Sequence, residues 1–325
     1  AVVAGLAMER GMQGGYRITA EIADPKEEDP GSYTVQAEGR TPAEALSRIG
    51  DKLERTVYWA SMQAVILTPD VAGDGLSALL DMADRGTAFR PTVRVAVSKE
   101  AAALLVGDGM RSDGLSRLLS KREDAALYRI ATALSGPGES AVLPVLQPDS
   151  GKFVQVGAAV VRKDGLCGTL TESEAWILSL LQNDAQDGSL TISGSDMTAP
   201  ATLELRKSET RILPALTNEK LQISVSIRAS AVIAQGGIES NSALESLGAE
   251  ALADRAERLI SKLQHEVNAD VLGFGEAVRS ALPKRWAAEE EGWSQKGFQS
   301  AAVQVNTQMM VEDGGIYKGA PGGEI

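Results

Sequence analysis

A strict alternation of apolar and polar residues in the last third of the chain constrains the fold more than any other feature. The run LQISVSIR at 221–228 places an apolar side chain at every second position. A period of two indicates a β-strand with one buried face and one face in water. A second strand-like stretch, 202–213, precedes this strand across a polar turn at 217–219, so we predict an antiparallel hairpin.

A long amphipathic helix is predicted after this hairpin, beginning at about Ser242 and ending before Asp270. A final strand at 299–311 again alternates apolar and polar residues. We therefore expect the helix to pack across a sheet built from 202–213, 220–234 and 299–311. The apolar stripe that would face this sheet consists of Leu252, Ala256, Leu259, Ile260, Leu263 and Val267.

Strand and helix signals alternate along the rest of the chain. Thr41 followed by Pro42 predicts the start of a helix, because threonine caps helices and proline suits the first helical position. We predict a mixed α+β and α/β fold with three domains, each a small sheet packed with helices. The divisions are an N-terminal α/β domain at 1–111, a helical connector at 112–140, a small middle α+β domain at 141–200, and a C-terminal domain at 201–325 with an antiparallel sheet and one long helix.

Two glycines flank a single aromatic residue in the run NADVLGFGEA that follows the long helix. Glycine inside a helix costs about 1 kcal/mol relative to alanine, so the pair needs a packing or backbone reason. One interpretation is a helix–helix corner, in which Phe274 plugs the core while Gly273 and Gly275 let the backbone pass close to a neighbouring element. The alternative is a surface around Asp270 and Glu276 that docks a partner protein.

Five short blocks of the chain follow, in order, one known pattern. They are VAGLA (3–7) with GYRIT (15–19), AEGRT (37–41), GAAVV (157–161) with DGL (164–166) and TESE (171–174), LELRKSETRI (203–212), and ADVLGFGE (269–276). Together they resemble the Ger(x)C family, the C subunits of bacterial spore germinant receptors. Two departures are Ala60-Ser61, where the family commonly has Gly-His, and the lack of a lipid-accepting cysteine.

The resemblance implies a non-enzymatic, lipid-anchored receptor subunit that acts beside an A-type and a B-type membrane subunit. Such a lipoprotein lies on the outer face of the spore inner membrane and serves as a scaffold or transducer when nutrients trigger germination. The chain starts at Ala1 without a signal peptide, so we expect a mature fragment that has lost its N-terminal lipid anchor. Which germinant acts, and whether this subunit binds it, stay open.

Residues that carry chemistry are scarce. One histidine, His265, and one cysteine, Cys167, exclude His/Cys metal sites and His-based nucleophile triads. We expect His265 to be solvated and Cys167 to be a small buried residue. The acidic runs at 27–29 and 289–291 are interpreted as solvated surface. We predict no catalytic residue, no cofactor and no bound metal.

The charge of the chain limits its partners. A net charge of −12 argues against bulk electrostatic binding to nucleic acid or acidic lipid, and no apolar run is long enough to span a bilayer. Trp286 and Trp293 could anchor a partner, but packing over the C-terminal sheet is the favoured interpretation. Two other functions stay open: an extracytoplasmic protein that binds a small ligand in an interdomain cleft, and a carboxylate-dependent hydrolase, for which no carboxylate pair stands out.

Overall fold

The structure, a computed structural model, contains two compact units, 1–172 and 173–325. The acidic run at 27–29 lies outside the residues that the structure describes. Those residues are 1–24, 31–85, 90–106, 111–120, 122–150, 152–185, 188–193, 199–236 and 240–312.

One sheet organises the first unit. Its strands are β1 (Val2–Arg10), β2 (Tyr16–Asp24), β3 (Gly31–Gly39), β4 (Ala64–Leu67), β5 (Arg94–Val97), β6 (Ser140–Asp149), β7 (Lys152–Arg162) and β8 (Gly165–Thr171). The strand order is β3-β2-β1-β4-β5-β6-β7-β8, with parallel pairs in the centre and antiparallel pairs towards both edges. The central strand β4 is apolar throughout because both of its faces are buried.

The helices of the first unit cover this sheet. They are α1 (Pro42–Leu53), α2 (Pro69–Gly73), α3 (Ser77–Arg85), α4 (Arg111–Leu119) and α5 (Leu127–Ser135). Helix α1 begins as the sequence predicts, because the Thr41 side chain accepts a hydrogen bond from the Glu44 amide at 3.2 Å. Its buried face, Ala45, Leu46 and Ile49, belongs to the core of the unit.

The second unit is built on a four-stranded sheet in the order β12-β11-β10-β9. Its elements are α6 (Glu172–Leu181), β9 (Gly188–Ile192), β10 (Ala201–Thr217), β11 (Lys220–Gln235), α7 (Asn241–Lys262), a π-helical turn (Leu263–Val267), α8 (Phe274–Ala281), α9 (Pro283–Glu289), α10 (Phe298–Ser300) and β12 (Ala302–Glu312). Asn218 and Glu219, with φ of 51° and 63°, join β10 to β11. Two residues at positive φ are typical of the tight hairpin turn that the alternation predicts.

Helix α7 packs on this sheet as predicted. Leu259, Leu263 and Val267 are buried, and the Thr307 hydroxyl of β12 donates to the Ala249 carbonyl of the helix at 2.6 Å. Gly248 permits the close approach, because a Cβ at this position would overlap the side chain of Met309. Among the described residues, no helix is long and apolar enough to cross a membrane.

The mixed α+β class is confirmed, but the sheets divide differently from the prediction. Strands β6 to β8 continue the sheet of the first unit through the pair Val97–Val145, whereas β9 joins the second sheet. The described residues of 141–200 therefore build no sheet of their own, and the chain passes from the first unit to the second between residues 172 and 173. The pair Val97–Val145 joins stretches that are distant in sequence, so a local pattern does not reveal it.

The C-terminal sheet is also mixed, where the sequence predicted an antiparallel one. Strand β12 runs parallel to β11, in register from Gln222–Ala302 to Val232–Glu312. The reason is the connection between the two strands, since α7 carries the chain back before β12 begins. Alternation within a strand reports its buried face but not its direction, so the direction of β12 was missed.

Candidate functional site

The ADVLGFGE block forms a cage around one buried carboxylate. Asp270 is 3% exposed. Its Oδ1 accepts hydrogen bonds from the amides of Leu272 at 3.2 Å and Phe274 at 3.1 Å. Its Oδ2 accepts from the Gly275 amide at 2.6 Å and from the indole Nε1 of Trp293 at 2.8 Å. The carboxylate thus accepts hydrogen bonds from backbone amides at the start of α8, which have no partners within the helix.

Two opposing effects act on the protonation of this carboxylate. Burial raises the pKa of Asp270 above its ordinary value, because the charged form is removed from water. The N–H groups of Gly275, Trp293, Phe274 and Leu272 lower the pKa, because they donate to the charged form. Burial is the larger cause, so the net direction is upward.

The two glycines of the block serve different purposes. Gly273 directly precedes α8 with φ of +79°, and a Cβ placed on it would meet no atom within 4 Å. Glycine is therefore needed at position 273 because it adopts a positive φ without steric cost. The predicted close approach of a neighbouring element is wrong for this residue. Gly275 is buried in the first turn of α8, where its amide makes the shortest of the bonds to Asp270.

An aromatic cluster lies beneath the block. The ring of Phe274 packs edge-on against Phe298 at a centroid distance of 5.9 Å. Trp293 lies 6.5 Å from Phe298 and 5.5 Å from Trp286. All four side chains are buried, so Phe274 plugs the core as predicted, and the tryptophans are packed inside and do not form an exposed anchor. The segment is a corner between the long helix and α8.

Most of the predicted docking residues therefore lie away from the surface. Asp270, Phe274 and Gly275 are buried, which excludes them from direct contact with a partner in this conformation. Gly273 and Glu276 are exposed. Glu276 forms an ion pair with Arg279 at 2.7 Å. Any docking surface of this segment is thus restricted to Gly273 and the outer side of α8.

The remaining chemically interesting residues are dispersed. His265 is exposed, as predicted. Cys167 is half-buried in β8, where its thiol lies 3.2 Å from the Val160 carbonyl and burial raises its pKa. Across the described residues, no group of three or more His, Cys, Asp or Glu side chains is arranged to hold a metal ion.

A second buried carboxylate was missed at the level of sequence. Glu21 of β2 is fully buried and accepts from the Ser32 hydroxyl at 2.7 Å. It also accepts from the amides of Arg111 at 2.6 Å and Ser112 at 2.8 Å, where α4 begins. The partners lie up to 91 residues away in sequence, so no local motif marks this site.

Comparison with known proteins places this fold in one family. The model "Spore germination protein N-terminal domain" matches residues 1–148, and "Spore germination B3/GerAC like, C-terminal" matches residues 156–315. The crystal structure of the GerBC protein aligns with a TM-score of 0.68 at 20% identity, covering 94% of this chain and 96% of that chain. The fold is therefore that of a spore germination protein.

Curated relatives agree with this class. The chain is 22% identical over 321 residues to Spore germination protein B3 of Bacillus subtilis (strain 168), covering 90% of this chain and 85% of the relative. It is also 22% identical over 313 residues to the putative spore germination protein YfkR of the same organism, covering 88% and 80%. The chain belongs to the Ger(x)C family of spore germination proteins.

Proposed function

We propose that this chain is the C subunit of a spore germinant receptor, a non-enzymatic lipoprotein that acts with A-type and B-type membrane subunits in nutrient-triggered germination. The observation that carries the proposal is the pair of family models, which match 1–148 and 156–315 in order. The subunit would lie on the outer face of the spore inner membrane, held by an N-terminal lipid. Cys167, the one cysteine of this sequence, lies within strand β8. The lipid would therefore be attached to a cysteine outside this sequence.

Co-purification from spores tests this proposal. An affinity-tagged copy of the chain, expressed with its native upstream sequence, is extracted with detergent from spore inner membranes. We expect two multi-spanning membrane proteins to co-purify in constant ratio. Recovery from the spore core without a membrane protein would contradict the receptor assignment. A uniform bound small molecule without membrane partners would favour the ligand-binding alternative.

We propose the outer side of α8 as the candidate contact with the membrane subunits. The double variant E276R/R279E inverts the charges at this surface while preserving the ion pair. The matched control is D254R/R258D, because Arg258 and Asp254 form a comparable exposed pair at 2.8 Å on α7. We expect the first variant to reduce co-purification and the control to leave it unchanged. If the membrane proteins co-purify equally well with both variants, α8 is not the contact.

A further inference from the structure

The outer face of the second sheet contains a polar groove that lies opposite the face covered by α7. Its volume is about 550 Å³. The strand register places two rows of side chains across this face, and each row takes one residue from each of β10, β11 and β12. The first row is Lys207, Ser230 and Met310, and the second is Glu209, Arg228 and Gln308.

Two cations, Lys207 and Arg228, line this groove beside two carboxylates, Glu209 and Glu312. Neither cation forms an ion pair within the described part of the chain. Arg228 donates through Nε to Gln308 at 3.3 Å, which leaves its terminal nitrogens available. Glu209 faces Arg228 across the strands, but its carboxylate is bound by Arg211 at 2.8 Å. Diagonal neighbours on adjacent strands lie within reach of long side chains, so the two cations can converge on one group.

Ser230 provides an independent indication of a ligand. It is 9% exposed, and its hydroxyl has no hydrogen-bond partner among the described residues. Buried polar groups are nearly always hydrogen-bonded, and an unmade bond is costly. Ser230 lines the same groove as the two cations, and its hydroxyl is shielded from solvent by its neighbours. A ligand oxygen would satisfy the hydroxyl once the covering side chains move aside.

We propose that this groove binds the oxyanion group, a carboxylate or a phosphate, of a small molecule. Arg228 and Lys207 hold the charge, because guanidinium and ammonium groups form the strongest hydrogen bonds to oxyanions. Ser230 donates its hydroxyl to an oxygen of the same group. Met310, which is 57% exposed, contacts the apolar part of the ligand. The site stands independently of the receptor assignment.

Nuclear magnetic resonance titration of the full chain tests the site. Sodium phosphate and sodium acetate are the probes, and sodium chloride at matched ionic strength is the reference. We expect saturable shifts at the amides of Arg228 and Ser230 and at the methyl group of Met310. A stronger response to phosphate identifies a phosphorylated ligand, and a stronger response to acetate identifies an organic acid. Equal small shifts in all three salts would overturn the proposal.

A charge-matched pair of variants separates binding from bulk electrostatics. K207Q/R228Q is expected to weaken binding at least about tenfold, since charge-assisted hydrogen bonds are lost. K220Q/R258Q removes the same charge at exposed positions outside the groove and is expected to retain affinity. Equal weakening of both would overturn the proposal.

Ser230→Ala provides a second readout that does not depend on charge. Because the buried hydroxyl makes no hydrogen bond with the described residues, its removal is expected to leave the melting temperature unchanged or to raise it, while reducing oxyanion affinity by about threefold or more. A large fall in melting temperature with unchanged affinity would assign Ser230 to the core and contradict its role in binding.

Discussion

Each unit of the molecule contains one carboxylate that is withdrawn from water at the start of a helix, yet the two are held differently. Glu21 receives a hydroxyl from Ser32 and two amides from the start of α4. Asp270 receives three backbone amides and an indole N–H around the start of α8. Both sites place a carboxyl group where the first backbone N–H groups of a helix have no intrahelical partners.

The kind of hydrogen-bond donor around each carboxyl group determines which site tolerates substitution. Amide and indole N–H groups only donate, whereas a hydroxyl can either donate or accept. Around Asp270 every partner is an obligatory donor, so the site accepts only a group with acceptors on both oxygens. Around Glu21 the Ser32 hydroxyl can reverse its hydrogen bond. We therefore expect Asp270 to be the less replaceable of the two.

Replacing Asp270 by asparagine is expected to have the largest effect. The amide oxygen can keep Gly275 and Trp293, but the amide nitrogen then faces the N–H groups of Leu272 and Phe274. Each buried donor left without an acceptor costs about 1–3 kcal/mol, so D270N should lower the unfolding free energy of the second unit by about 3 kcal/mol. Denaturant titration followed by tryptophan fluorescence measures it.

Glu276→Gln is the control for D270N, because this carboxylate is exposed and its ion pair is at the surface. Its expected effect is within about 0.5 kcal/mol. If D270N were as mild as this control, the hydrogen bonds around Asp270 would carry little stability, and the contrast with Glu21 would collapse.

Replacing Glu21 by glutamine is expected to cost about half as much, about 1.5 kcal/mol. The amide oxygen keeps one of the two α4 amides, and the amide nitrogen can donate to the Ser32 hydroxyl. One buried N–H is left without an acceptor. Hydrogen exchange of the β1 and β2 amides measures the loss, and Glu100→Gln, at an exposed position, is the control. A larger loss than in D270N would reverse the comparison.

The same contrast explains how much of each site the sequence predicts. The partners of Asp270 on the backbone lie within five residues, so the site is a local motif that NADVLGFGEA marks through its glycines. Glu21 occupies a strand and meets α4 only in the folded chain. From the sequence alone, a buried glutamate in a strand looks the same as a solvent-exposed one. Only the folded structure shows that α4 packs against Glu21.

The fold divides along the same line between local and distant information. Period-two alternation, the turn at Asn218 and the Thr41 cap predicted the hairpin and helix α1 correctly, because each depends on neighbouring residues. The single pair Val97–Val145, which extends the first sheet, and the parallel pairing of β12 depend on long-range contacts. Those features required the structure.

Trp293→Phe removes the side-chain donor of the Asp270 site. The hydrogen bond of 2.8 Å to Oδ2 is lost, and the smaller phenyl ring also gives up part of the packing against Trp286 and Phe298. We expect a loss of at least about 1–1.5 kcal/mol, since this much is the net value of a buried hydrogen bond and the lost packing adds to it. In the D270N background the same change should cost a different amount, because residues in contact are coupled. Strict additivity in this double-mutant cycle would show that the two side chains act separately.

The smallest expected effect is the change of stability with pH. A single titrating group changes the unfolding free energy by at most about 1.4 kcal/mol per pH unit. Because burial raises the pKa of Asp270 in the folded chain, the folded state binds this proton more tightly than the unfolded state. Stability from this group is therefore fully present below the ordinary aspartate pKa and is lost as pH rises through the folded pKa. The difference in unfolding free energy between the wild type and D270N should accordingly shrink from acidic to neutral pH, since asparagine does not titrate. A difference that grows with pH would mean that the four N–H donors outweigh burial, and that Asp270 is held as the anion.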